Sequence, residues 1–115
     1  MWGHRIVWAD TRNGSFDIYM KDLHTGLEVA ICTAPSHQHE PAIFGDRIVW
    51  TDYRNGNRDI YMYDLATATE TPICTDIAEQ RYPDIWGDRI VWQDNRNGNF
   101  DIYMYDLAAA SAPSA

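Results

Sequence analysis

Basic residues are scarce in this chain. Nine Lys and Arg face seventeen Asp and Glu, for a formal charge of −8 and a pI of about 4.7. A nucleic-acid partner requires clustered Lys and Arg to neutralise phosphates. Here the arginines sit beside aspartates, so that partner class is excluded. No apolar run approaches the roughly 20 residues of a membrane-spanning helix, which excludes insertion by that route. Cysteine is nearly absent: Cys32 and Cys74 are 42 positions apart. Thiols so separated, at equivalent places in neighbouring units, lie too far apart for a disulfide. Neither belongs to a cluster that would hold a metal or work as a redox pair, and both read as small apolar strand residues. Catalytic signatures are missing as well. No serine stands in a nucleophile-elbow pattern, no Gly-rich loop could cradle phosphate, and no pair of carboxylates is spaced for glycoside hydrolysis. The expectation is a chain that is not an enzyme and carries no cofactor.

What is present is a repeat. GHRIVWADTRNGSFDIYMKDL at 3–23 returns as GDRIVWTDYRNGNRDIYMYDL at 45–65 and as GDRIVWQDNRNGNFDIYMYDL at 87–107, a period of 42 residues. The last two copies differ only at Thr51/Gln93, Tyr53/Asn95 and Arg58/Phe100. A period of this length signals a modular array. With 45 % hydrophobic and 13 % aromatic residues, the composition suits a globular domain.

Within one unit, RIVWTD and DIYMYDL are β-branched and aromatic runs separated by YRNGNR. Asn55-Gly56 at the centre is a strong hairpin signal, because both residues tolerate positive φ. The loop exceeds two residues, so a bulge or a connection of four to six residues is expected. Alternation puts Ile48 and Trp50 on one face of the first strand, with Arg47, Val49 and Thr51 on the other. The second strand divides Ile60 and Met62 from Tyr61, Tyr63 and Leu65. Both faces are largely apolar, so the sheet is covered on both sides. ETPICT at 70–75 is a third strand, its Pro72 suited to an edge. PAIF at 41–44, echoed by PDIW at 83–86, is a fourth. The fold class is thus all-β, with four-stranded antiparallel sheets repeating every 42 residues in the manner of β-propeller blades.

The pattern P-x-[IF]-[FW]-G-D-R-I-V-W-x-D-x-R-N-G-N-x-D-I-Y-M-Y-D-L resembles the TolB-type, WD40-like propeller repeat found in tandem in archaeal and bacterial cell-surface proteins. The resemblance covers about residues 1–107. It implies a propeller of several blades used for recognition or scaffolding, usually without catalysis, and suggests a cell-surface or extracellular setting. The W-D dipeptide of the signalling WD40 proteins is missing, so their partners are not implied.

Asp10, Asp17, Asp52, Asp59, Asp94 and Asp101, with Asn55 and Asn57, ring the Gly-containing loops and invite a calcium reading. Their spacing fails the EF-hand pattern. A structural turn fits better, with Asp and Asn capping backbone N–H groups. Arg54 would clamp onto Asp52 or Asp59, and Arg12 and Arg96 would act alike in their units. No metal site is therefore expected. His37 and His39, in SHQHEP, have Glu79 and Arg81 as their repeat equivalents. Two histidines and a carboxylate on a loop are too few for a defined zinc site; a hydrolase sited in the central channel and built partly from His39 and Glu40 is the least favoured alternative. His4 and His24 read as isolated, exposed side chains. The loops between strands two and three, and between strands four and one, should emerge on one face of the propeller, and most of the varying positions lie there. Tyr53, Arg58, Arg81, Tyr82, Asn95 and Phe100, with His37 and His39, are the candidate binding residues, suited to a protein contact or a stacked sugar.

The repeats occupy 1–107 and AAASAPSA at 108–115 reads as a low-complexity tail or a makeshift last strand. The first unit lacks most of its inner strand and the third its outer one. Three blades leave two apolar faces open, whereas closed propellers hold about four to eight blades. The expected partner is a second copy of the chain, making six blades, with nine in a trimer as the alternative. Met1 leads straight into the first repeat, which predicts a chain without a signal peptide.

Overall fold

The computed structural model describes residues 1–108, so the tail at 109–115 lies outside the described residues. Among the described residues, ten strands form three antiparallel sheets. The complete sheet has the order β4 (Gln38–Phe44), β5 (Arg47–Asp52), β6 (Asp59–Asp64), β7 (Thr69–Cys74). Before it comes a three-stranded sheet of β1 (Arg5–Asp10), β2 (Asp17–Asp22) and β3 (Glu28–Cys32). After it come β8 (Gln80–Trp86), β9 (Arg89–Asp94) and β10 (Asp101–Asp106). Among the described residues the first sheet has no inner strand and the third no outer one. Trp2 nonetheless pairs with Arg5, holding the place that Phe44 and Trp86 occupy opposite Arg47 and Arg89.

The central hairpin is in unbroken register, from Arg47 opposite Asp64 to Asp52 opposite Asp59. Its loop, residues 53–58, is a six-residue connection, within the expected four to six, and holds no bulge. Irregularities fall where β6 meets β7, at Ile60/Tyr61, and where β4 meets β5, between His39 and Ala42. At the second of these Glu40 has φ 58°, and its equivalent Tyr82 has φ 53°. That bulge corrects the expected inner strand. Pro41 needs no ladder donor, so pairing resumes beyond it and β4 reaches back to Gln38. His39 and Arg81 therefore stand in strands β4 and β8 and not in loops.

Two apolar layers separate the three sheets. Ile48, Trp50 and Tyr61 of the middle sheet meet Ile18, Met20, Ile31 and Cys32 of the first. Val49, Ile60 and Met62, on the opposite face, meet Ile85, Ile90 and Trp92 of the third. Both faces of the middle sheet are thus buried, and the alternation expected from the sequence is the one observed. Each fully buried Ile or Val contributes on the order of 1.5–3 kcal/mol, and Ile48, Val49, Trp50 and Ile60 are all completely buried.

Candidate functional site

The hairpin turns are built alike in all three units. The Trp50 indole N–H donates to Asp52 Oδ2 at 2.9 Å, while the Arg54 backbone N–H and Nε donate to Asp52 Oδ1 at 2.8 and 3.0 Å. The Arg54 guanidinium also lies 4.0 Å above the Tyr61 ring, a cation–π contact. Arg12 and Arg96 repeat this over Tyr19 and Tyr103, clamped to Asp10 and Asp94. Asn55 donates to Asp59 Oδ2 at 2.9 Å, so the two aspartates have separate donors and Arg54 takes Asp52 alone. Burial alone would raise the Asp94 pKa, but hydrogen bonds from Arg96 and Trp92 hold it below the usual carboxylate range. Arg54 also reaches back a unit, donating to Cys32 Sγ at 3.4 Å, as Arg96 does to Cys74 at 3.3 Å. Both thiols are free, and each helps join neighbouring sheets. Asp17 and Asp59 are buried in the sheet boundaries, whereas Asp101, at the end of the array, is exposed. Each of these residues has a structural partner or place in the turn, and no group of three His, Cys, Asp or Glu gathers among the described residues.

The candidate binding residues come together on one rim. Backbone bonds from Gln38 N to Phe16 O (2.8 Å) and from Gln80 N to Arg58 O (2.9 Å) tie each inner strand to the hairpin loop of the sheet before it. At the first boundary His39 lies 4.5 Å from Phe16, 5.5 Å from Tyr53 and 5.6 Å from His37, centroid to centroid. The Phe16 N–H donates to His37 Nδ1 at 3.1 Å, which fixes that ring nitrogen as an acceptor. Burial lowers the His39 pKa, only partly opposed by Glu40, so the ring favours its neutral, stacking form. At the second boundary the same places carry charge. Arg58 pairs with Glu79 at 2.8 Å, and the Glu79 N–H donates to Asn95 Oδ1. Arg81 lies 3.8 Å over Phe100 and 5.2 Å over Tyr82. The rim is therefore two patches, one aromatic and one of Arg, Glu and aromatic rings. Phe16 belongs to the first, and comparison with Arg58 and Phe100 at the same repeat position could have revealed it from sequence.

A second feature lies on the opposite rim, at the turns Gly3-His4-Arg5, Gly45-Asp46-Arg47 and Gly87-Asp88-Arg89. Trp2, Phe44 and Trp86, one from each repeat unit, converge with centroids 4.1 Å (Trp2–Phe44) and 4.6 Å (Phe44–Trp86) apart. Trp86 is 73 % exposed. Beside them run clefts of about 270 Å³, one of them lined by Trp2, His4, Arg5 and Asp46. Arg5 crosses to Asp46 at 2.7 Å and Arg47 to Asp88 at 2.6 Å. His4 and His24, expected to stand apart, pack 5.1 Å from each other. The aromatic convergence escaped sequence reading because residues 42 apart become neighbours only when the sheets stack about a common axis.

No family model matches the sequence, and comparison with curated proteins yields no match. Solved structures do match. TolB from Acinetobacter baumannii aligns with a TM-score of 0.74 at 26 % identity, over 94 % of this chain and 28 % of that one. A chain of the nidogen–laminin complex aligns at 0.68 and 17 % identity, covering 91 % and 41 %. The tricorn protease aligns at 0.64 and 21 % identity, covering 89 % and 10 %. This chain spans less than half the length of each. The architecture is a partial β-propeller of TolB-like repeats, three adjacent blades in one chain.

Proposed function

We propose that the chain is a non-enzymatic interaction module, closed into a six-bladed ring by a second copy and recognising a protein through the rim that carries His37, His39, Tyr53, Arg58, Arg81, Tyr82, Asn95 and Phe100. The observation that carries the reading is the contrast between a constant turn, repeated bond for bond, and a rim whose side chains differ at each boundary. A rigid frame presenting varied aromatic and Arg side chains suits protein recognition. Ring closure is supported by the end blade. Ile102 is 73 % and Met104 48 % exposed, although their equivalents Ile60 and Met62 are at 0 and 6 %. Sizing with light scattering over a range of concentrations tests closure: a stable mass near twice 13.3 kDa supports it, and a persistent monomer refutes it. The clustered rings of Phe16, His39 and Tyr53, tilted and edge-on to one another, favour a second reading, a weak multivalent glycan binder, which a glycan array without hits would exclude. Turnover abolished by His39→Ala would overturn the non-enzymatic reading.

A further inference from the structure

Every other arginine of the chain lies within 3.9 Å of an acidic side chain. Arg81 has no such partner among the described residues, although acidic residues far outnumber basic ones. The neighbouring acids are engaged elsewhere. Glu79, two residues before it, accepts from the Arg58 backbone N–H (3.2 Å) and Nε (2.8 Å). Glu40 accepts from the Thr51 hydroxyl (2.8 Å) and from the N–H of Tyr82 (3.2 Å). Arg81 is nevertheless held in one place. Its Nε donates to Gln93 Oε1 at 3.2 Å, and its guanidinium carbon lies 3.8 Å from the Phe100 ring centre and 5.2 Å from that of Tyr82. Both terminal nitrogens are left without an acceptor among the described residues. Their edge is the one with which a guanidinium takes a carboxylate in two parallel hydrogen bonds.

The third unit is built around this arginine. Its 21-residue core differs from that of the second only at Thr51/Gln93, Tyr53/Asn95 and Arg58/Phe100. Gln93 and Phe100 both touch Arg81, and Asn95 Oδ1 accepts from the Glu79 N–H at 2.8 Å. In the second unit His39 stands where Arg81 does, and there Thr51 is turned to Glu40 and Arg58 to Glu79. The differences thus follow the side chain at this one place, whereas drift would scatter them. Arg81 and Tyr82 lie in β8, Gln93 in β9 and Phe100 in the loop after it, so the third unit holds the whole arrangement.

We propose that Arg81 is the receptor for one carboxylate, the side chain of an Asp or Glu presented by the protein partner; this rests on the reading that the rim recognises a protein. The incoming carboxylate supplies the counter-ion that the chain itself withholds. The rings of Phe100 and Tyr82 flank the guanidinium and leave its edge to the ligand, and the Gln93 bond fixes the direction of that edge. With a net charge of −8 the chain repels an acidic tract, so the partner carries a single acid in the right place, and the contact gives specificity and register.

The probe comes from a random peptide library displayed on phage and panned against the intact chain, its tightest peptide then being synthesised with a fluorophore. That peptide should hold one essential Asp or Glu, and changing it to Asn or Gln should weaken binding about tenfold or more by anisotropy. Arg81→Gln should cost as much and Arg81→Lys part of it. The peptide and protein changes together should cost no more than either alone. The peptide series leaves the protein unaltered, so it decides the matter whether or not Arg81→Gln folds. Full binding of the amide peptide, or equal affinity for folded Arg81→Gln, would overturn the carboxylate assignment; if Tyr53→Ala still weakens such a peptide, the wider reading of the rim stands. A library that yields no peptide sensitive to any rim substitution would overturn both.

Discussion

Asp59 offers a sharp quantitative test of how the blade boundary is held. Its side chain is 1 % exposed; Oδ2 accepts from Asn55, while Oδ1 has no partner among the described residues. Gln80, fully buried just across the boundary, also has a side-chain oxygen without a donor. Burial raises the Asp59 pKa, and Asp52, Glu79 and Asp76 push it the same way against the Asn55 bond. The folded state therefore binds this proton more tightly than the unfolded chain, whose carboxyl titrates near 3.8. The resulting stabilisation is complete below that pH and is lost as pH rises through the native value. Asp59→Asn keeps the shape, removes the charge, lets the new carbonyl accept from Asn55, and supplies an N–H where Oδ1 stood. A buried acceptor without a donor costs about 1–3 kcal/mol. The variant should therefore gain roughly 1 kcal/mol over wild type at pH 8, a Tm rise of about 4–8 °C for a domain of this size. The gain should shrink toward zero near pH 4. The assay is thermal unfolding by circular dichroism from pH 4 to 8, read as the difference between the two proteins, so that Asp10, Asp22 and Asp94, all held low, cancel. A variant less stable than wild type at pH 8, or a difference that does not vary with pH, would refute the reasoning.

Other consequences are open to equally direct measurement. Met62→Glu, at a position 6 % exposed between two sheets, should unfold the chain or send it into aggregates. Met104→Glu, at the equivalent position on the exposed face of β10, should leave circular dichroism unchanged while abolishing the proposed dimer in light scattering. If both variants remain folded dimers, the assignment of faces is wrong. Burial pushes the Cys32 thiol up to about 12, so its alkylation by iodoacetamide at pH 8 should be at least a hundredfold slower in the folded than in the urea-unfolded protein. Comparable rates would mean that the boundary opens freely.

The sequence alone determined the local grammar of this protein. A 42-residue period, β-branched runs with Asn-Gly between them, and apolar residues on both faces of each run suffice for antiparallel hairpins covered on both sides. The reason is that strand alternation and the positive φ of a tight turn are properties of neighbouring residues. The clamp of Arg54 on Asp52 was half legible: spacing put the guanidinium near two aspartates, but the choice between them waited on Asn55 taking Asp59. The length of the inner strand was not legible, because SHQHEP looks like a loop until Glu40 and Tyr82 are seen in a bulge that carries the ladder past Pro41 and Pro83. Nor was the separation of the rim into an aromatic and a charged patch, or the meeting of Trp2, Phe44 and Trp86. Those depend on where a side chain stands relative to the unit before it, and distance between units is set by how the sheets pack, which no single stretch of sequence encodes. Tertiary structure also decided which equivalents differ in state. Asp59 and Asp101 begin identical hexapeptides, yet one is buried and the other exposed, because a third blade covers the first and no blade among the described residues covers the second.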